Sequence, residues 1–126
     1  HRIVLDADGI APYKKWRPAR SSQPSHLNFA TGVDGVRYPR EMVQFVAERG
    51  TEFLDLAPRA DDVWLNHCAL RAGFPVEQVS ARSANFPLVP GSQRVRLSRV
   101  NLSGGNDAQI AATYSAEDVS KLRAAE

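Results

Sequence analysis

The sequence predicts an α/β (α+β) domain, a small mixed β-sheet with flanking helices. Three observations carry that prediction. Short apolar runs at Arg2–Leu5, Val36–Tyr38, Val76–Ala81 and Arg94–Asn101 alternate with polar residues as strands with one wet face do. Longer runs at Arg40–Arg49 and from Asp61 to Gly73 repeat their apolar residues at the helical period. A chain of 126 residues, 43% hydrophobic and 24% charged, is large enough for one core and fits a single domain over 1–126.

Taken in order, Arg2–Leu5 is a short strand that runs into Asp6-Ala7-Asp8-Gly9. Asp-Gly is a strong turn signal, so a hairpin or corner is expected before Pro12-Tyr13. Arg17 to Ser25 keeps no hydrophobic period and is rich in Arg, Ser, Gln and Pro. It is expected to be a loop and the most mobile internal segment. Gly32 and Gly35 flank Val33 and Asp34 and lead into the alternation of Val36, Arg37 and Tyr38. Pro39 closes that strand and opens a helix, which Gly50 stops. Phe53, Leu54 and Leu56 mark a short segment before Pro58.

The next helix places Val63, Trp64, Cys68, Ala69 and Ala72 on one face, and Gly73 with Pro75 ends it. Two strands are expected beyond it, at Val76–Ala81 and Arg94–Asn101, around a loop at 83–91 that holds two prolines. Asp107 begins another helix, carrying Ile110, Ala111 and Tyr114. Ser115-Ala116-Glu117-Asp118 has a serine followed three residues later by an acid, the layout of a capping box, and starts a terminal helix.

Charge and cysteine content narrow the function. Sixteen basic residues stand against fourteen acidic ones, a near balance that argues against a general nucleic-acid binder. Only Lys14–Arg20 and Arg94–Arg99 are concentrated. In the first, Trp16 would offer a stacking platform beside phosphates. In the second, the arginines alternate with Val95 and Leu97 as on an ordinary strand. No apolar run approaches the ~20 residues that cross a bilayer. The single cysteine, Cys68, cannot form an internal disulfide and falls on an apolar helix face, which points to an inert core thiol and a reducing, cytoplasmic location.

Three motifs carry little chemistry. Asp6-Ala7-Asp8 resembles a metal-holding Asp-x-Asp, but only five residues precede it, and a turn is the simpler reading. His1, His26 and His67 fit no zinc spacing, and His67 is expected to be a surface or partly buried structural residue. Asn101-Leu102-Ser103 matches a glycosylation sequon without a secretory signal beside it.

The chemistry-bearing composite is Gly32-Val33-Asp34-Gly35-Val36-Arg37-Tyr38-Pro39 followed, one helix later, by Ala60-Asp61-Asp62-Val63-Trp64. Adjacent residues on a helix diverge by about 100°, so the two carboxylates are expected to do different work. A pair of acids at a helix start also has a plain structural use, as a cap and a first-turn charge.

With these residues in place the chain resembles the acceptor-side, C-terminal half of bacterial GT-A-fold glycosyltransferases of polysaccharide or lipopolysaccharide biosynthesis. In these a "Gly-x-Gly-Gly-x-x-Tyr-Pro" strand precedes an "Ala-Asp-Asp-x-Trp" helix, and an Asn-Asp pair stands further on, as Asn106-Asp107 does here. The likeness spans roughly residues 2 to 114, and position 34 departs from it by carrying Asp in place of glycine.

The resemblance implies a partial nucleotide-diphospho-sugar transferase fold and transfer of a sugar from a nucleotide-sugar donor to a hydroxyl of a carbohydrate acceptor. It implies Asp62 as the general base facing the acceptor, with Asp61 capping or orienting. Gly32, Val33, Asp34, Gly35, Tyr38, Trp64, Asn106 and Asp107 would line the substrate. Trp64 is expected chiefly to anchor its helix. A divalent cation, Mg or Mn, is implied for the complete enzyme and none for this stretch. The chain begins at His1, the donor-binding half would lie upstream of it, and the 126 residues alone are expected to be an inactive fragment. The competing reading is a non-catalytic α/β module that binds carbohydrate or protein through Gly32–Tyr38.

Overall fold

The computed structural model describes residues 1–32, 35–80 and 104–126. Among them are five α-helices and a two-stranded antiparallel sheet, a mixed arrangement consistent with a small α/β fold. The sheet is the expected hairpin. Strands β1 (Leu5–Asp6) and β2 (Gly9–Ile10) pair Leu5 with Ile10 and Asp6 with Gly9. Asp6 closes the turn itself, because its Oδ1 accepts the Asp8 N–H at 3.1 Å. Gly9 takes φ +129°, a conformation that side chains resist.

A second layer is built from isolated bridges. Arg2 pairs antiparallel with Arg17 on one side and with Asn28 on the other, and Ser25 pairs with Val76. Ile3 donates to the Leu27 carbonyl at 2.8 Å and Phe29 to that of His1 at 2.9 Å. The stretch expected to be a loop is therefore pinned at both ends, and the Asn28 amide ties its interior by donating to the carbonyls of Gln23 and Val76. Trp16 donates its indole N–H to the Ala11 carbonyl and packs between Tyr13 and Phe29. At 7% exposure it has no free face, which corrects its reading as a stacking platform.

Helices cover this layer. α1 (Arg40–Glu48) starts after Pro39, as expected, and buries Met42. α2 (Phe53–Leu56) is a single turn. α3 (Asp61–Arg71) buries seven of its eleven residues, from Val63 to Leu70. It ends in a Schellman motif, with Gly73 at φ +78°, Gly73 N–H to the Leu70 carbonyl, and Phe74 N–H to that of Ala69. α4 (Asn106–Thr113) packs on α2 and α3. α5 (Ala116–Arg123) begins with the expected capping box at Ser115 and Asp118.

The core joins Ile3, Trp16, Leu27 and Phe29 of the bridged layer to Met42, Val63, Trp64 and Cys68, and to Ile110, Tyr114 and Leu122 of the last two helices. One buried polar tie crosses it. Asn66 donates to the Asn28 carbonyl and accepts from the Tyr114 hydroxyl.

Two expected strands are corrected. Residues 35–39 form no ladder, and Tyr38 is 36% exposed. Of Val76–Ala81, only Val76 makes a bridge among the described residues, and Val79 is fully exposed. Alternation marks chain that could pair, but pairing needs a partner edge. The expected strand at Arg94–Asn101 and the loop at 83–91 lie outside the described residues.

Candidate active site around Asp62

Ala60, which follows the last residues of α2 by a tight turn, is the N-cap of α3, and no side chain caps that end. The expected capping role of Asp61 is therefore corrected. Asp61 is an exposed first-turn acid, favourable near the positive end of the helix. Asp62 is partly buried, and its Oδ1 accepts the Val63 N–H at 3.0 Å. Burial pushes its carboxyl above the ordinary value. The Asp61 charge adds to this, and the Val63 bond opposes it.

Two tyrosines share that field. Burial raises the Tyr38 phenol, and Asp61 and Asp62 raise it further. Burial and then Asp62 raise Tyr13. Tyr13 belongs to the short turn Tyr13–Lys15, where its ring touches those of His1, Trp16 and Phe29. α4 fixes its place, since Asp107 Oδ1 accepts the Tyr13 backbone N–H at 2.6 Å. The same helix holds the approach to α3. Gln109 Oε1 accepts the Arg59 N–H at 2.8 Å, and Thr113 donates to the Leu56 carbonyl at 3.3 Å.

The residues expected to line a substrate are therefore dispersed. Asp61, Asp62 and Tyr38 come together, and Asp107 reaches the group through Tyr13. Asn106 is 3% exposed, and its Oδ1 has no hydrogen-bond partner among the described residues. Trp64 is equally buried, against the rings of His67 and the guanidinium of Arg49. Gly32 and Gly35 close a turn, Gly35 N–H to the Gly32 carbonyl at 3.3 Å, with open space where a Cβ would stand at either. Gly35, at φ +88°, needs glycine for its backbone. Val33 and Asp34 lie outside the described residues.

Tyr13 and Gln109 were not among the expected site residues. Pro12-Tyr13 signals a corner, and nothing in the sequence places that corner against Asp62. Among the described residues no three His, Cys, Asp or Glu side chains converge to hold a metal ion. Asp6, of the Asp-x-Asp lookalike, spends an oxygen on its own turn.

The far end of α3 holds a second acid in a different setting. Asp118 is fully buried. It accepts from the Ser115 N–H and hydroxyl, each at 2.8 Å, and meets the Arg71 guanidinium with Nε at 2.6 Å. His67 Nε2 lies 3.4 Å away, without hydrogen-bond geometry. At 3% exposure His67 is deeper than the surface or partly buried position expected for it. Burial lowers its pKa, against the pull of Asp118, so the ring is neutral at pH 7. Burial opposes ionisation of Asp118 too, but the Ser115 bonds, His67 and Arg71 outweigh it and hold the carboxyl below its ordinary value.

Cys68 is buried and its thiol is pushed up to about 11 by burial, which leaves no thiolate at neutral pH. No helix among the described residues is long and apolar enough to cross a membrane. Comparisons with protein-family models, with curated proteins and with solved structures give no match.

Proposed function

We propose that this chain is the acceptor-side part of a glycosyltransferase that moves a sugar from a nucleotide-sugar donor to a carbohydrate hydroxyl. The observation that carries the reading is the setting of Asp62, a partly buried carboxylate of raised pKa beside two tyrosines. A desolvated carboxylate of this kind is a stronger base than a solvated one.

Asp62 takes the proton of the acceptor hydroxyl as that oxygen bonds to the anomeric carbon. The bond from that carbon to the diphosphate breaks, and the nucleoside diphosphate leaves with the electron pair. Tyr38, half open to solvent, stays protonated and offers a hydrogen-bond donor and a ring face to the acceptor sugar. Asp61 adds negative charge that keeps Asp62 basic. Asp107 and Gln109 hold Tyr13 and the start of α3 in register. The donor would be held by a GT-A half elsewhere in the polypeptide, in the cytoplasm, on the polysaccharide-building side of the bacterial envelope. Any divalent cation belongs to that half, and no step here passes through one.

The test is nucleoside diphosphate release by the full-length protein across nucleotide-sugar donors and glycan acceptors. Asp62→Asn should cut transfer by about 10²- to 10⁴-fold while the folded chain is retained. Transfer that survives Asp62→Asn but is lost in Asp61→Asn would overturn the assignment of the base. Transfer indifferent to both would leave the chain a carbohydrate-binding module.

A further inference from the structure

Arg2 and Arg17 are directly opposite each other in an antiparallel bridge, joined by Arg2 N–H to the Arg17 carbonyl at 2.7 Å and the reverse bond at 3.4 Å. A pair that exchanges both bonds has its α-carbons about 5.5 Å apart and its side chains on the same face of the layer. The next residue on one strand, Ile3, and the preceding one on the other, Trp16, are buried, so the arginines share the outer face. Like charges held opposite each other destabilise a strand pair. Among the described residues nothing offsets them, since neither guanidinium has an ion-pair or hydrogen-bond partner there. Arg2 is nevertheless partly buried, and the exposed Lys14, Lys15 and Arg20 lie on the same stretch of chain without acidic partners.

From this uncompensated cross-strand pair we infer that Arg2 and Arg17 form a clamp for the phosphate group of a small phosphate monoester. Two guanidinium forks match a group that carries about two negative charges and three acceptor oxygens, and each fork can bond two of them. A nucleic acid fits this face poorly, because the only ring in the basic stretch that could stack on bases, Trp16, is buried. A bilayer fits poorly too. Among the described residues, the large exposed apolar side chains, Tyr38, Val43, Phe53, Leu54 and Val79, all lie outside residues 1–32, so the stretch that carries the clamp brings none of its own to a lipid surface. The clamp is independent of Asp62 and of the sugar-transfer reading.

The experiment is a titration of the full chain with glycerol 1-phosphate, followed through the arginine Nε–H signals and repeated with phosphatidylglycerol vesicles and single-stranded DNA. Saturable shifts of Arg2 and Arg17 are expected with glycerol 1-phosphate, with affinity about tenfold weaker in Arg17→Gln and a partial loss in Arg17→Lys, which keeps charge but not the fork. Arg59→Gln, remote from the bridge, should bind as the unaltered chain does. Without phosphate, Arg17→Gln should unfold at the same temperature or higher, because a repulsion has been removed. Glycerol 1-phosphate should raise the unfolding temperature of the unaltered chain and of Arg59→Gln equally, and that of Arg17→Gln less. The inference is overturned by an absence of saturable shifts at millimolar ligand, by equal affinity in the Arg2→Gln/Arg17→Gln double variant, or by a loss of stability in Arg17→Gln. Binding through these arginines to vesicles or DNA alone would overturn it as well.

Discussion

Asp62 and Asp118 each lie within the first turn of a helix, each is wholly or partly withdrawn from water, and their pKa values move in opposite directions. Asp118 is the more deeply buried of the two, yet it is the one whose pKa is lowered. Burial raises both carboxyls. What separates them is supply: Asp118 has Ser115 twice, Arg71 and a histidine, whereas Asp62 has only backbone N–H groups and an acidic neighbour. A carboxylate with its partners in place is a fastener. One left short of partners keeps its affinity for a proton, and that is the property a base needs.

The largest effect should come from breaking the fastener. Asp118→Ala removes the capping box and the buried partner of Arg71, which keeps only its contacts to Glu117 and Ser115, and we expect a loss of about 3–5 kcal/mol, read from the urea midpoint of unfolding. Asp62→Asn should do the opposite on a smaller scale. It removes an under-partnered charge, so stability should hold or rise by a fraction of a kcal/mol, allowing for solvent screening of a half-open group. A large loss of stability in Asp62→Asn would erase the contrast between the two acids.

Acid should sharpen the same contrast. His67 has a folded pKa below its ordinary 6.5, so the folded state binds fewer protons, and stability falls as pH drops below 6.5 toward the folded value. Asp118, with its pKa depressed below 3.8, keeps its contribution through that range and loses it only as pH falls further, through its folded value. Asp62, raised above 3.8, has the reverse sign: its penalty is full at neutral pH and fades as it takes up a proton. Thermal unfolding from pH 7.5 to 5 should therefore slope downward in the unaltered chain and flatten in His67→Gln. The stability gained by Asp62→Asn should shrink toward pH 3.5. The smallest effect should be that of Tyr38→Phe. Its hydroxyl carries no hydrogen bond among the described residues, so unfolding should move within about 0.5 kcal/mol, while on the proposed sugar transfer the KM for acceptor should rise.

Much of the helical part was legible because its signals are local. Pro39, Gly50 and Gly73 bound their helices, Ser115 and Asp118 cap α5, and the Asp-Gly turn makes the hairpin. The bridged layer was not legible, since single-residue pairings at Arg2, Arg17, Ser25, Asn28 and Val76 leave no periodicity to read. At the site, the asymmetry between Asp61 and Asp62 follows from their divergence on a helix. The tyrosine next to them and the glutamine behind them are brought there by contacts across the core, such as Arg59 to Gln109. A cap assigned to Asp61 by residue type failed because the chain enters α3 through Ala60 at φ −143°, ψ 74°, and the Val63 N–H is bonded by Asp62 rather than by Asp61.

The first hairpin is tied to the last helix, and the tie bears on how the molecule is made. Val119 comes to within van der Waals distance of Gly9, at 3.9 Å from the position of a Cβ there. Arg123 donates to the carbonyl of Asp6, 117 positions earlier. During synthesis the hairpin leaves the ribosome long before the segment that covers it, and it must wait unsheltered until α5 follows. Closure of so long a loop favours slow folding. Loss of the last turn, from Lys121 onward, should expose the start of the chain to proteases while leaving α1 to α3 protected.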